Sequence, residues 1–179
     1  MRMNLKNKVF CCAVGLVLLF ADSLLSQAQL PIIETPYGAM NFSDDDESYN
    51  ILEWLSLSSG SQKIDSINSA IIINVSNVAD GSLGELMGGI CINDFINKPE
   101  AVISIYNSSG FKRIESYLNR IAWELCVESQ GDSIDNLQGV IKDFSDRIRI
   151  KSVKSSDINS LNAVLAFILK RMEFYRQEL

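Results

Sequence analysis

The chain has 179 residues, of which 16 are Lys or Arg and 22 are Asp or Glu, and it contains no histidine. This length suits one ordinary domain with a sizeable core. The net charge of −6 argues against nucleic acid as a partner, because such binding needs clustered Lys and Arg. The absence of histidine removes the commonest general base and the Ser-His-Asp nucleophile system. Carboxylate-pair hydrolysis stays open, because it needs only Asp and Glu.

Residues 1–28 have the pattern of a cleaved export signal. Three basic residues precede the apolar run Val9–Ala21. Small residues at the end of the segment predict cleavage between Ala28 and Gln29. The run has 13 residues, fewer than the roughly 18–20 that cross a bilayer as a helix, although a retained anchor stays an alternative. No second apolar segment of that length follows. We therefore expect an exported protein, periplasmic or secreted, with no stable membrane span after cleavage.

Cleavage would change both the charge and the cysteine count. It would leave 13 basic and 21 acidic residues, a net charge of −8, and two of the four cysteines, Cys91 and Cys126. An even pair in an oxidising compartment predicts a Cys91–Cys126 disulfide, worth roughly 3–4 kcal/mol for a loop of about 35 residues. Two buried free thiols are the alternative. Without histidine, neither a catalytic thiol nor a zinc site has its usual partners, and we predict no metal or cofactor.

The first elements after the signal are a lead-in and a capped helix. Residues 29–42 contain two prolines and a glycine without a sustained period, which predicts an extended lead-in. Residues 43–179 are predicted to form one helical domain. Ser43 is the expected cap of its first helix, because the acidic residues Asp44–Glu47 follow it and favour the helix dipole. We expect this helix to end near Gly60.

Two further helices are predicted before the middle of the chain. Lys63–Val78 has apolar residues at helical spacing, although the β-branched run Ala70–Ile73 leaves a buried strand open. The next helix, Ser82–Asn97, carries Gly84 and Gly88 four residues apart. Each glycine costs about 1 kcal/mol relative to alanine in a helix. Close approach of a neighbouring backbone would compensate for that cost.

The second half of the chain has the clearest helical periodicity. Pro99 suits the first position of a helix that Ser109 and Gly110 end. Apolar residues then repeat at steps of three and four in Phe111–Leu125, Ile134–Ile148 and Ile158–Tyr175. The sequence therefore predicts an all-α fold, a compact bundle of about six to seven amphipathic helices with one disulfide, rather than a repeat solenoid.

Five residues are candidate contacts for a protein partner: Asp44, Asp45, Asp46, Trp54 and Trp123. The tryptophans lie beside the main apolar stripes of their helices, so either could anchor an interface or pack at the edge of the core. The acidic residues are consecutive, whereas a calcium loop alternates its acids. Helix capping is therefore the preferred interpretation of the acidic run.

We interpret two other sets of charged residues as parts of solvated helix faces. Glu124 and Glu128 lie four apart on one predicted helix and form the candidate carboxylate pair for hydrolysis. The stretch Lys142–Lys154 is locally basic and could dock an acidic surface or an anionic envelope polymer. Basic residues also collect at helix C-termini, which explains the stretch more simply.

The stretch Leu83–Tyr117 contains GELMGGICINDFINKPEAV followed by NSSGFKRIESY. It resembles the small helical periplasmic immunity proteins that protect bacteria from the amidase toxins of type VI secretion. The resemblance implies an export signal, an all-helical mature domain, a Cys-Ile pair on a central helix and a disulfide. It assigns no binding residue in this chain.

These features together predict an exported, non-catalytic protein-binding domain. Its most concrete form is an immunity or inhibitor protein that binds a basic toxin or an envelope enzyme, because an acidic surface complements a basic one. The alternatives are an envelope structural or small-ligand-binding helical module and a carboxylate-dependent hydrolase. An apolar pocket between helices would favour the ligand-binding module, and carboxylates meeting in one cleft would favour the hydrolase. The sequence leaves the oligomeric state open.

Overall fold

The computed structural model describes residues 33–35, 38–40, 45–129, 136–149 and 153–178. Seven α-helices make up most of these ranges and pack into one compact bundle, so the predicted all-α class is confirmed. The helices are α1 (Asp45–Leu57), α2 (Gln62–Ser76), α3 (Gly81–Asn97), α4 (Pro99–Ser109), α5 (Phe111–Glu128), α6 (Leu137–Arg149) and α7 (Ile158–Glu178). A short 3-10 turn, Ser155–Asp157, precedes α7.

The lead-in forms a small antiparallel hairpin. Strand β1 (Ile33–Thr35) pairs with β2 (Gly38–Met40), with Ile33 opposite Met40. The predicted signal, its cleavage point at Ala28 and the expected cap Ser43 lie outside the described residues. Within those residues, no helix combines the length and the apolar character needed to cross a membrane.

Local sequence signals set most of the helix ends. The Ser61 side chain accepts a hydrogen bond from the N–H of Ile64 at 3.4 Å and caps α2. Pro99 is the first residue of α4, and Gly110 joins α4 to α5 with a φ of +69°, a conformation that favours glycine. The run Ala70–Ile73 is helical, so the strand alternative is wrong there.

Helix α3 is the central element of the bundle. It packs against α1, α2, α4, α5 and α6, while α7 lies on α5 and α6. Phe95 of α3 is fully buried, and its ring centroid lies 6.5 Å from that of Tyr117 on α5 and 5.9 Å from that of Phe144 on α6. The aromatic rings thus connect three helices at the centre of the core.

The predicted Cys91–Cys126 disulfide is wrong in this structure, because both cysteines are buried and unbonded. Glu124 of α5 lies against Gly88 of α3. Cys126 follows Glu124 by two residues and is therefore turned by about 200° around the helix axis. Its Sγ faces α7, 3.8 Å from the carbonyl oxygen of Met172. Burial raises the pKa of both thiols, which matches the alternative of two buried free cysteines.

Candidate functional site

The structure separates the five predicted partner contacts. Asp44 lies outside the described residues, Asp45 begins α1, and Asp46 is exposed in the first turn of that helix. Trp54 on α1 and Trp123 on α5 are 49% and 43% exposed, and they line different clefts. The acidic run and the two tryptophans therefore do not form a single site.

The larger of these clefts lies beside Trp123 and has a volume of about 500 Å³. We call it the Trp123 cleft. Its walls come from the turn between α2 and α3, the first half of α3, the middle of α5 and Tyr175 of α7. The residues that matter for its chemistry are Asp80, Glu85, Asn119, Arg120, Trp123 and Tyr175.

Two glycines on α3 let α5 approach along one side of this cleft. A Cβ atom at Gly84 would lie 3.4 Å from Nη1 of Arg120, and one at Gly88 would lie 2.8 Å from the Cβ of Glu124. The second distance is shorter than packed carbon atoms tolerate. The sequence predicted close approach of a neighbouring backbone, whereas the structure places two long side chains of α5 over the glycines.

Arg120 ties α5 to the turn between α2 and α3. Its Nε donates to the carbonyl oxygen of Ser76 at 3.1 Å, and its two Nη atoms donate to the carbonyl oxygens of Ala79 and Gly84. The guanidinium thereby sits at the C-terminal end of α2, where the helix dipole favours a cation. Sequence reasoning missed this role, because the acceptors are backbone atoms about 40 positions away and leave no side-chain pattern.

An aromatic cluster forms the opposite edge of the cleft. The Trp123 and Tyr175 rings meet edge to face with centroids 5.4 Å apart, and Phe174 lies 5.8 Å from Tyr175. The guanidinium carbon of Arg171 is 5.2 Å from the Phe174 ring and 5.3 Å from the Tyr175 ring. The cluster holds Trp123 in place and leaves it partly exposed.

Negative charge surrounds the cleft. The side chains of Asp80 and Glu85 line it and are exposed. Burial raises the pKa of the Glu124 carboxyl, and the nearby charge of Glu128 adds to the rise. Of the candidate carboxylate pair, Glu124 thus lies against α3, while Glu128 lines a separate cleft of about 240 Å³.

The second tryptophan has simpler surroundings. The cleft beside Trp54, of about 480 Å³, is lined by Glu47, Asn50 and Ile51, all from α1. Within the described part of the chain, one helix supplies all the lining residues of this cleft. We call it the Trp54 face.

The predicted basic stretch carries ion pairs with nearby acids. Lys142 Nζ lies 2.7 Å from Asp146 Oδ2, and Lys154 Nζ lies 3.3 Å from Glu100 Oε2. These pairs are largely exposed, where such contacts contribute about 0–1 kcal/mol. The arrangement agrees with the interpretation as a solvated helix end.

A buried polar network at the other end of α3 was also missed. Asp94 and Lys98 form an ion pair of 2.8 Å with both side chains fully buried. Burial raises the pKa of the Asp94 carboxyl, and the Lys98 ammonium opposes the rise. The network is completed by the Leu55 and Ser56 carbonyl oxygens, 2.6 and 2.9 Å from the ammonium, and by the Ser69 and Tyr117 hydroxyls, each 3.1 Å from the carboxylate.

Two further observations concern metal binding and similarity to other proteins. In the part of the chain that the structure describes, no group of three or more Cys, Asp or Glu side chains is placed to hold a metal ion. Comparison of the chain with protein-family models, with curated proteins and with solved structures gives no match.

Proposed function

We propose that this chain is a non-catalytic protein-binding domain that binds its partner through the Trp123 cleft. The observation that carries the proposal is a half-exposed tryptophan fixed by Tyr175 at a junction of four elements. Tryptophan and tyrosine are enriched among the residues that dominate binding energy at interfaces. A side chain already held in place also loses little conformational freedom on binding.

The finer proposal is an exported immunity or inhibitor protein that acts on an envelope-targeting toxin or enzyme. Two sequence features support it: the export pattern of residues 1–28 and the similarity of Leu83–Tyr117 to helical periplasmic immunity proteins. The net charge of −8 that cleavage would leave suits a basic partner, because complementary potentials raise the association rate.

Capture followed by an inhibition assay tests this function. Wild-type protein and the Trp123→Ala and Trp54→Ala variants would each serve as bait in an envelope extract, and the retained protein would be identified and purified. We expect wild type and Trp54→Ala to retain the same protein and to inhibit its enzymatic activity. Trp123→Ala should weaken inhibition by about 30-fold or more, the effect of a hot-spot residue. Equal inhibition by all three proteins, or no retained partner, would contradict the proposal.

The second candidate function is a small-ligand-binding module. It is favoured by the volume of the Trp123 cleft, about 500 Å³, which lies within the range of about 300–1,000 Å³ typical of small-molecule sites. Native mass spectrometry of protein purified from its own envelope distinguishes the two functions. A small molecule retained by wild type and lost in Trp123→Ala would support the ligand-binding module, whereas the first proposal predicts none.

A further inference from the structure

One hydrogen-bond acceptor of the Trp123 cleft has no partner among the residues that the structure describes. The Oδ1 atom of Asn119 is buried and accepts no hydrogen bond from the described part of the chain. A buried acceptor left unpaired costs about 1–3 kcal/mol, and native proteins keep few of them. An N–H donor that reached this atom after rotation of the Asn119 side chain would remove this cost.

The charges at the cleft also favour a donor that is positive. Asp80 and Glu85 line the cleft as exposed carboxylates, and the Glu124 side chain lies against Gly88, which lines it too. Arg120 is the cation among the lining residues that the structure describes, and three of its N–H groups already bind backbone carbonyls. The cleft therefore presents two exposed carboxylates beside a guanidinium that already uses three of its N–H groups.

The aromatic edge supplies a surface on which a cation can stack. Trp123 is 43% exposed, and tryptophan is the side chain best suited to cation–π contact, most often with arginine. The chain already makes this type of contact nearby, where Arg171 lies 5.2 Å from the ring of Phe174.

We propose that the Trp123 cleft receives a basic side chain of the partner protein, with arginine as the best fit. Its planar face would stack on Trp123, and its N–H groups would reach the exposed carboxylates of Asp80 and Glu85. Rotation of the Asn119 side chain would also bring its buried Oδ1 within reach. This inference rests on the proposed protein-binding function and names the chemistry that the partner must present.

Titration with a short peptide tests the inference without the partner. The probe is N-acetyl-Gly-Arg-Gly-amide, and the readout is the NMR signal of each indole N–H, with Trp54 as the internal control. We expect the Trp123 signal to shift saturably, with a dissociation constant in the millimolar range, and the Trp54 signal not to shift with it. A citrulline peptide of the same shape without the charge should bind at least about 5-fold more weakly.

Variants of the exposed carboxylates sharpen the test. The double variant Asp80→Asn and Glu85→Gln should keep its fold, as checked by thermal unfolding, and bind the arginine peptide about 3–10-fold more weakly. Salt at about 1 M should weaken binding to wild type in the same direction. Equal binding of the arginine and citrulline peptides, or no saturable shift at Trp123, would overturn the inference.

The two proposals fail in different ways. If a purified partner needs Trp123 but the arginine peptide does not bind, the inference about the basic side chain is wrong and the protein-binding function stands. If the peptide binds at Trp123 but no protein partner is retained, the protein-binding function is wrong and the cation site stands.

Discussion

The polar groups at the two ends of helix α3 differ in their burial and in their hydrogen-bond partners. At the C-terminal end, Asp94 and Lys98 are fully buried, and the ammonium has three acceptors. At the N-terminal end, Gly84 and Gly88 line an open cleft in which Asn119 Oδ1 accepts no hydrogen bond from the described residues and carboxylates stay exposed. The first arrangement is complete without a ligand, and the second is not. We infer that the first serves stability and the second serves binding.

The largest expected effect comes from breaking the buried ion pair. Lys98→Met removes the ammonium and leaves the Asp94 carboxylate unpaired in the core, which should lower the free energy of unfolding by about 3–5 kcal/mol. Urea denaturation of the variant and of wild type measures the difference. The double variant Lys98→Met with Asp94→Leu should recover part of the loss, because no buried charge remains. A loss below about 1 kcal/mol in the single variant would show that the pair does not stabilise the fold.

A matched pair of glycine variants on α3 should give the next largest effect. Gly88→Ala would place a Cβ 2.8 Å from that of Glu124, and such overpacking typically costs about 1–3 kcal/mol. Gly89→Ala is the control, because a Cβ there meets nothing within 4 Å. It should raise the free energy of unfolding by up to about 1 kcal/mol through helix propensity. Equal effects of the two substitutions would contradict the close approach of α3 and α5.

A smaller effect is expected from the pH dependence of Glu124. Burial and the charge of Glu128 raise its pKa above the ordinary 4.5, so the folded state holds the proton to higher pH than the unfolded state. The contribution of this group to stability therefore falls as pH rises from 4.5 through the folded pKa. We expect the free energy of unfolding of wild type, measured relative to Glu124→Gln, to decrease over that interval. A difference that rises with pH would show the opposite shift.

The smallest expected effect concerns the cysteines. Because Cys91 and Cys126 are unbonded and buried, a reducing agent should leave the thermal unfolding temperature unchanged, and both thiols should react with an alkylating reagent only after unfolding. Mass spectrometry counts the modified thiols. A drop in unfolding temperature on reduction would show that the protein forms the disulfide that this structure lacks.

The sequence predicted the features of the fold that local chemistry determines. Pro99 and Gly110 mark helix boundaries because their backbone preferences act within one turn. The periodicity of Phe111–Leu125 identified the buried face of α5 because that pattern is set by helix geometry. The first helix ends at Leu57 rather than near Gly60, since glycine is not required at the point where a helix stops.

The candidate site depended on contacts between distant parts of the chain and was predicted less well. Trp123 was identified as a candidate, but sequence alone did not distinguish it from Trp54, because both lie beside an apolar stripe. Arg120 and Lys98 were missed because they bind backbone carbonyls that lie 36 to 44 positions away. The disulfide prediction counted cysteines, and the count does not tell which face of α5 carries Cys126.

Hydrogen exchange of the chain alone and with its purified partner tests the contrast between the two ends of α3 most directly. We expect amides around Gly84 and Gly88, and those of α5 near Trp123, to gain protection when the partner binds. Amides around Asp94 should exchange slowly in both states and change little. Protection gained on the Trp54 face of α1, with none around Gly84 and Trp123, would show that the partner does not bind at the Trp123 cleft.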